Sequence, residues 1–299
     1  MRVAVLGEIL WDIVGDSRYL GGAPLNFALH LQGLGHEALL ISALGDDLLG
    51  AAAIKEIEAR GLSTRFIRLD NHPTGTVTVH MDERGAPDYV IHRPAAYDFP
   101  ALSAEREHEL LTPSPSWIYF GTLQQMSSKA FDLTMTIREN LPYARTFYDL
   151  NLRQDSYNTE LLSTLLRQAD VVKLNEPEAA VLANFLQFPS AGLQELCRAL
   201  AHMFTLQAVC VTRGALGCCL LIGDTFVEAP GYCVTVADTI GAGDAFAAAF
   251  LHGMTEGWPP LHVADFANRL GAVVASLPGG APAWQPEQLD RLAHRQDAP

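Results

Sequence analysis

The sequence predicts an α/β protein with a mostly parallel central sheet, helices on both faces and a small β appendage. Three observations carry this. Between residues 117 and 183 strand-like and helix-like runs alternate, the rhythm of parallel strands joined by crossover helices. Between residues 65 and 93 short strands follow one another without helices, as in a separate small sheet. Near the C-terminal end, Val234-Thr-Val-Ala-Asp-Thr-Ile-Gly-Ala-Gly-Asp-Ala-Phe-Ala-Ala-Ala-Phe-Leu251 reads as strand, glycine turn and buried helix.

In chain order, residues 3–6 and 9–14 read as strands flanking Gly7-Glu8. Asp12 is an acid within an otherwise apolar strand. A buried carboxylate without partners is costly, so it either caps a turn or accepts the hydroxyls of a ligand. Leu20-Gly-Gly-Ala-Pro-Leu-Asn26 is a di-glycine turn that opens a helix whose apolar face runs Leu25, Leu29, Leu31, Leu34. Pro24 suits its first turn, and Asn26 offers both a donor and an acceptor. Residues 37–45 are strand-like, and Gly45-Asp-Asp-Leu-Leu-Gly50 leads into a helix over 51–60. Residues 66–69, 75–81 and 89–93 are short strands, with 82–85 as a hairpin turn. Thr76, Thr78 and His80 alternate with Val77, Val79 and Met81, as in a sheet with one wet face. Tyr89, His92 and Arg93 are candidates for ligand contact, against a plain surface role.

Beyond Trp117, residues 118–121, 146–150 and 171–174 read as strands, and 127–141, 161–168 and 176–183 as helices. Ligands in such sheets bind beyond the carboxyl ends of strands. Two polar clusters fall there, Asp149-Leu-Asn-Leu-Arg153 and Asn175-Glu-Pro-Glu178. The planar fork of Arg153 suits a phosphoryl oxygen or a hydroxyl; Asn-x-x-Glu by itself is only a helix start. Residues 209–217 are a strand running into a glycine turn, followed by an apolar strand over 218–222. A helix over 264–276 ends at Pro278-Gly-Gly-Ala281. The polar tail from about Gln285 reads as the least essential part.

The 299 residues suit one large α/β domain or a core with an appendage, and 49% hydrophobic content supplies ample core. A net charge of −14 excludes nonspecific nucleic-acid binding but leaves a local basic pocket for a small phosphate ligand open. Five cysteines without a C-x-x-C pair predict buried free thiols in a reducing cytosol. The start of the chain lacks a signal-peptide layout, and no apolar run is long enough to span a membrane, so the cytoplasm is the expected compartment, with no membrane partner.

A buried helix that begins at a glycine turn presents unpaired N–H groups and the positive end of its dipole, a place for an anion, most often phosphate. Asp244 stands in that first turn. A carboxylate beside phosphate is electrostatically awkward unless it works, and accepting a proton from an attacking hydroxyl is such work. Rival glycine motifs fail. The dinucleotide fingerprint meets Phe246 at its third glycine, although Asp265 lies at the spacing of its acid, and a Walker A loop needs a lysine after glycine, which Lys55, Lys129 and Lys173 do not provide. Backbone N–H groups, arginine and a metal must then carry the charge of any nucleotide.

Asp238-Thr-Ile-Gly-Ala-Gly-Asp244 resembles the C-terminal signature of the ribokinase-like (PfkB) carbohydrate kinases, and further motifs match in family order from Gly7 to about Pro282. The resemblance implies a three-layer α/β/α ribokinase-like core in a single domain, 1–299, with a β lid formed mainly by 10–20 and 65–98. It implies transfer of the γ-phosphate of ATP, with Mg²⁺, to a sugar hydroxyl. Gly241, Ala242 and Gly243 would form the anion hole, Asp244 the base, and Arg153 a stabiliser of transferred charge. Asp12, Gly21, Gly22, Asn26 and Asp244 would bind sugar. Lys173, Asn175, Thr212, Gly214, Gly217, Gly241, Gly243 and Asn268 would face the nucleotide. Asn175 and Glu178 would hold Mg²⁺ largely through water. Asp238 and the backbone after Pro278 match the family's monovalent-cation loop, which leaves a K⁺ requirement open. The role of Arg213 is open as well.

Gly21-Gly-Ala-Pro24, Asp149-Leu-Asn-Leu-Arg153 and Ile91-His-Arg-Pro-Ala-Ala-Tyr-Asp98 look most like bacterial fructokinases. Kinases for 2-keto-3-deoxygluconate, ribose or a nucleoside come next. A non-catalytic sugar-binding regulator and an NAD-dependent oxidoreductase are the alternatives from other classes. The resemblance further implies a small sugar and ATP as partners and leaves a homodimer through the lid open, while the net charge speaks against nucleic acid.

Overall fold

The structure, a computed structural model, describes residues 1–81, 87–153, 156–188 and 192–296. The chain divides into two compact units, Met1–Leu29 with His36–Ala144, and His30–Gly35 with Arg145–Pro299.

The first unit contains β1 (Arg2–Leu6), β2 (Leu10–Val14), β3 (Ser17–Gly21), α1 (Ala23–Gly33, shared with the second unit), β4 (Glu37–Gly45), α2 (Leu48–Ala59), β5 (Ile67–Asp70), β6 (Gly75–Met81), β7 (Pro87–His92), α3 (Ala104–Leu111), β8 (Trp117–Gly121), α4 (Thr122–Gln125) and α5 (Ser128–Asn140). Strands β8, β1, β4 and β5 lie side by side, all parallel. Their unbroken apolar runs, such as Val3-Ala-Val-Leu6, are what a sheet covered on both faces requires, and these residues are buried. A second, smaller sheet is ordered β3-β2-β6-β7; β2 and β6 run parallel and the other pairs antiparallel. Val77 is buried between Thr76 and half-buried Thr78, and it packs with Leu10, Leu123 and Ile91.

Several expectations change in this unit. Residues 66–69, read as part of the lid, fall on β5, which pairs with β4 in the parallel sheet through Ser42↔Ile67 to Gly45↔Asp70. The small sheet therefore takes residues 10–21 and 75–92. Arg93 is not plain surface: its guanidinium pairs with buried Asp98 and donates to the Leu123 carbonyl at 3.1 Å. His92 bonds Thr78 Oγ1 through Nε2 at 2.7 Å. The hairpin turn at 82–85 and the Tyr89 side chain lie outside the described residues. Helix α1 has no single apolar stripe. Phe27 and Ala28 are fully buried and His30 nearly so, while Leu29 is only half-buried, because the helix is covered on most of its circumference.

The second unit contains β9 (Arg145–Asp149), α6 (Thr159–Arg167), β10 (Val171–Asn175), α7 (Glu176–Phe185), α8 (Leu193–Phe204), β11 (Ala208–Thr212), β12 (Cys218–Ile222), β13 (Thr225–Ala229), α9 (Ala242–Thr255), α10 (Pro260–Ala275) and α11 (Pro286–Gln296). Strands β9, β10 and β11 are parallel; β12 and β13 continue antiparallel. Every residue of α9 from Ala245 to Leu251 is buried, as its run of small and apolar helix formers demands. The strand expected at residues 234–236 is absent. The edge position belongs to β13, and the chain then leaves the sheet at Pro230-Gly231, so Val236 has no pleat to pack on and is 58% exposed. The segment is tied down by Ala237 and Asp238, whose N–H groups donate to the Ala275 carbonyl at 2.9 and 3.2 Å. The tail is also more than polar filler: α11 buries Leu289 and Leu292.

All five cysteines are free. Cys197, Cys210, Cys218 and Cys219 are buried, and burial pushes the Cys197 and Cys218 thiols up to about 12. Cys233 is exposed, against the expectation that all would be inside. Among the described residues no helix is long and apolar enough to cross a membrane.

Candidate active site

The second unit gathers most of the predicted residues around the carboxyl ends of β9 and β10 and the start of α9. Parallel pairing sets Lys173 opposite Asp149. The Lys173 ammonium donates to both carboxylate oxygens of Asp149, at 2.8 and 2.9 Å. Both side chains are almost wholly buried, at 6% and 1% exposure. Burial works against the ammonium's charge, but Asp149, with smaller help from Glu178 and Asp244, outweighs it and holds Lys173 above the usual lysine range.

Helix α9 starts on a turn that only glycine can make. Gly241 has φ +75°, and a Cβ there would lie 1.6 Å from the Gly280 carbonyl oxygen. The Gly241 carbonyl accepts from Ala245 N–H at 2.8 Å and from Asp244 N–H at 3.1 Å, so the helical ladder begins with those bonds. The amide of Gly243 precedes it, at the positive end of the helix dipole. An ideal Cβ on Gly243 would stand 3.7 Å from Lys173 Nζ, so the ammonium lies directly behind this first turn. Asp244 is half-buried in the same turn.

Asn175 and Glu178 form a reciprocal helix cap. Asn175 Oδ1 accepts from Glu178 N–H at 2.9 Å, and Glu178 Oε2 accepts from Asn175 N–H at 2.8 Å. The other Glu178 oxygen, Oε1, accepts from Leu152 N–H at 2.8 Å, which ties the loop after β9 to the start of α7. Burial lifts the Glu178 carboxyl above the ordinary range; Lys173 and the two amides oppose that without cancelling it. In that loop Asn151 takes a left-handed φ of 41° and Arg153 is exposed.

The remaining predicted residues of the second unit have local partners of their own. Thr212 closes β11, and Gly214 and Gly217 bound a short 3₁₀ turn. Arg213 pairs with Glu228 across the sheet edge at 3.3 Å, a structural use for a residue whose role the sequence left open. The Asn268 amide donates to the carbonyls of Ala229 and Pro230 at 3.3 and 3.0 Å, anchoring α10 to the end of β13. Asp238 accepts from Ile240 N–H at 3.0 Å and from Gly279 N–H at 3.3 Å, so the two segments singled out for a monovalent cation do meet.

In the first unit, Asp12, Gly21, Gly22 and Asn26 share the β2–β3–α1 corner. Gly21 borders the carboxylate, since a Cβ there would come 2.9 Å from Asp12 Oδ2. Gly22 has φ +115°, with the Glu8 carbonyl 2.4 Å from where a Cβ would be, and its own carbonyl accepts from Asn26 N–H at 3.0 Å. Asn26 is 3% exposed. Two buried polar residues beside this corner escaped the sequence reading, Glu8 and Gln124. Gln124 Nε2 donates to the carbonyls of Gly7 and Tyr97, at 3.2 and 3.0 Å. The pair Gln124-Gln125, just past the strand that ends at Gly121, was the available signal.

Known proteins share this arrangement of chain. The profile described as pfkB family carbohydrate kinase matches residues 11–287. The fructokinase of Escherichia coli is 29% identical over 302 residues, covering 94% of this chain and 95% of the relative. The solved fructokinase of Xylella fastidiosa with bound ATP superposes with a TM-score of 0.87 at 22% identity, over 99% of both chains. The 2-dehydro-3-deoxygluconokinase of Thermotoga maritima does so with a TM-score of 0.83 at 20% identity, over 98% of both. The two superpositions establish a ribokinase-like α/β fold, and the profile, spanning all but the two ends, establishes kinship: the chain belongs to the pfkB family of carbohydrate kinases.

Proposed function

We propose that this protein transfers the γ-phosphate of ATP to a hydroxyl of a small sugar, with fructose as the substrate. One observation carries the reading: a glycine-locked helix start, fixed by Gly280 against Gly241, places a carboxylate, Asp244, in the turn whose amides suit a phosphoryl group. The sugar oxygen attacks the γ-phosphorus, a new O–P bond forms, and the bond to the β,γ-bridging oxygen breaks to release ADP. The hydroxyl proton passes to Asp244. The amides of the Gly241–Gly243 turn and the exposed Arg153 take up charge on the group in transit; one such donor is worth ~100-fold or more in rate. Asp12, Gly21, Gly22 and Asn26 are assigned to the sugar, and Lys173, Thr212, Gly214, Gly217 and Asn268 to the nucleotide side.

The donor set suits Mg²⁺. Each Glu178 oxygen accepts one amide and keeps a second lone pair, which can accept from a metal-bound water. Among the described residues no group of three or more His, Cys, Asp or Glu side chains is set to hold a metal. Mg²⁺ needs none, since it binds through one or two carboxylates, waters and substrate phosphates. When bound, it would neutralise charge on the β- and γ-phosphates, with Asn175 and Glu178 orienting its waters. Fructose is favoured by the similarity to the Escherichia coli fructokinase and by the sequence form around Gly21 and Asp149. Coupled ADP release with Mg·ATP over fructose, 2-keto-3-deoxygluconate, ribose and a nucleoside tests both levels. Turnover of another sugar overturns fructose alone, and ADP release with none of them overturns the kinase reading.

A further inference from the structure

We infer that Trp284 is a positioning residue for acceptor binding: its indole N–H fixes the ring of buried His30, which stands one helical turn behind Asn26 on α1. The inference rests on the assignment of Asn26 to the sugar, but it is read from atoms outside that corner.

Three facts support it. The bond is directed, since Trp284 Nε1 donates to His30 Nδ1 at 3.2 Å. An indole nitrogen can only donate, so Nδ1 accepts and the ring carries its proton on Nε2. His30 is 2% exposed, so bulk water cannot replace this donor. Next, the indole is seated on the helix. It lies against the last turn of α1, where a Cβ on Gly33 would come 3.3 Å from Trp284 Cζ2 and 3.6 Å from Cε2. Glycine is a poor helix former, and here its missing side chain makes room for the ring. Finally, helix geometry couples His30 to the sugar face. Residues four apart share one face, with Cβ atoms ~6 Å apart. Helical side chains lean toward the N-terminus, so the imidazole leans toward Asn26, which is itself 3% exposed. In close-packed surroundings a shift of one ring is felt by its neighbour. Trp284, on the segment between α10 and α11, thus braces the helix that carries Asn26.

Such a brace acts on acceptor affinity, whereas a residue that serves only the fold would change melting and leave acceptor affinity alone. Calorimetry first compares fructose, 2-keto-3-deoxygluconate, ribose and a nucleoside on the wild type. The best binder is then carried, beside Mg·ATP, to Trp284→Phe, His30→Leu and the double variant, with thermal melting as the check on folding. Trp284→Phe keeps an aromatic ring and removes the donor. It should weaken acceptor binding ~5-fold or more, the scale of one buried hydrogen bond, and leave Mg·ATP affinity unchanged. In the His30→Leu background, Trp284→Phe should add nothing, because its effect passes through the imidazole. Unchanged acceptor affinity, equal losses for acceptor and Mg·ATP, or full additivity in the double variant overturns the inference. If Trp284→Phe fails to fold, His30→Leu alone carries the test, and unchanged acceptor affinity again overturns it. Nitrogen NMR of the wild-type imidazole needs no variant: a His30 proton on Nε2 is expected, and one on Nδ1 overturns the brace. A wild type that binds none of the acceptors refutes the sugar assignment and the inference with it, whereas binding indifferent to Trp284→Phe refutes the brace alone.

Discussion

Replacing Gly241 by Ala should disable the site while leaving most of the fold standing. Two effects combine at this position. The first is conformational: a left-handed residue with a Cβ costs about 1–2 kcal/mol. The second is a collision, because the new Cβ would lie 1.6 Å from Gly280 O and real Cβ contacts essentially never fall under 3.0 Å, so the two backbones must part by about 1.4 Å. Relieving such an overlap typically adds ~1–3 kcal/mol. Gly223 separates the two effects. Its φ is +55° and nothing lies within 4 Å of its Cβ position, so Gly223→Ala bears the conformational cost alone. At about 2 °C per kcal/mol for a chain of this size, Gly241→Ala should melt about 2–6 °C below Gly223→Ala. Its kcat in coupled ADP release should fall at least ~100-fold, since a displacement of about 1 Å in a positioning element has that effect. If the two variants melt together and Gly241→Ala keeps near-normal turnover, the contact with Gly280 does not hold the turn in place.

Other outcomes follow from the same geometry. Asp244→Asn should leave melting unchanged and cut kcat at least ~100-fold, the low end for a lost base; near-normal turnover would remove Asp244 from the mechanism. Asp47 caps α2 and also accepts from Thr74 N–H and Oγ1, and although burial would raise its carboxyl, these bonds hold it below 3.8. A lowered carboxylate stabilises the fold above its unfolded pKa and loses that contribution as pH falls through the folded value, so the melting gap between wild type and Asp47→Asn should shrink below about pH 4. A gap independent of pH would mean that the carboxylate's charge is not its source. Leu289→Ala should destabilise by ~2–5 kcal/mol in denaturant unfolding if α11 is part of the core, and by well under 1 kcal/mol if it is only a tail.

The parallel core was legible because its strands are continuous apolar runs: the strand expected over residues 37–45 has the bounds of β4, and the helix after Gly243 was visible from its composition alone. The motif at Gly241 also declared itself, since an acid beside two glycines at a helix start suits an anion site and little else. What stayed hidden depended on partners distant in sequence. Residues 66–69 look like any short strand, and only pairing with β4 assigns them to the larger sheet. Val234 and Val236 have strand propensity without a neighbouring strand, while Thr225–Ala229 gained its place as the partner of β12. The union of Lys173 with Asp149 could not be read either, because it depends on the parallel register of two strands joined through α6. The cap joining Asn175 and Glu178 is local and fits their three-residue spacing, whereas the reach of Glu178 to Leu152 is not local.

The uneven distribution of sulfhydryls gives the chain a built-in attachment point. Four are shut away in packed surroundings, and Cys233 alone stands open, on the stretch that leads from β13 to Asp238. A maleimide dye applied to the native protein would therefore couple at one place without mutagenesis. Its emission would report on the approach to the Gly241 turn as nucleotide is added.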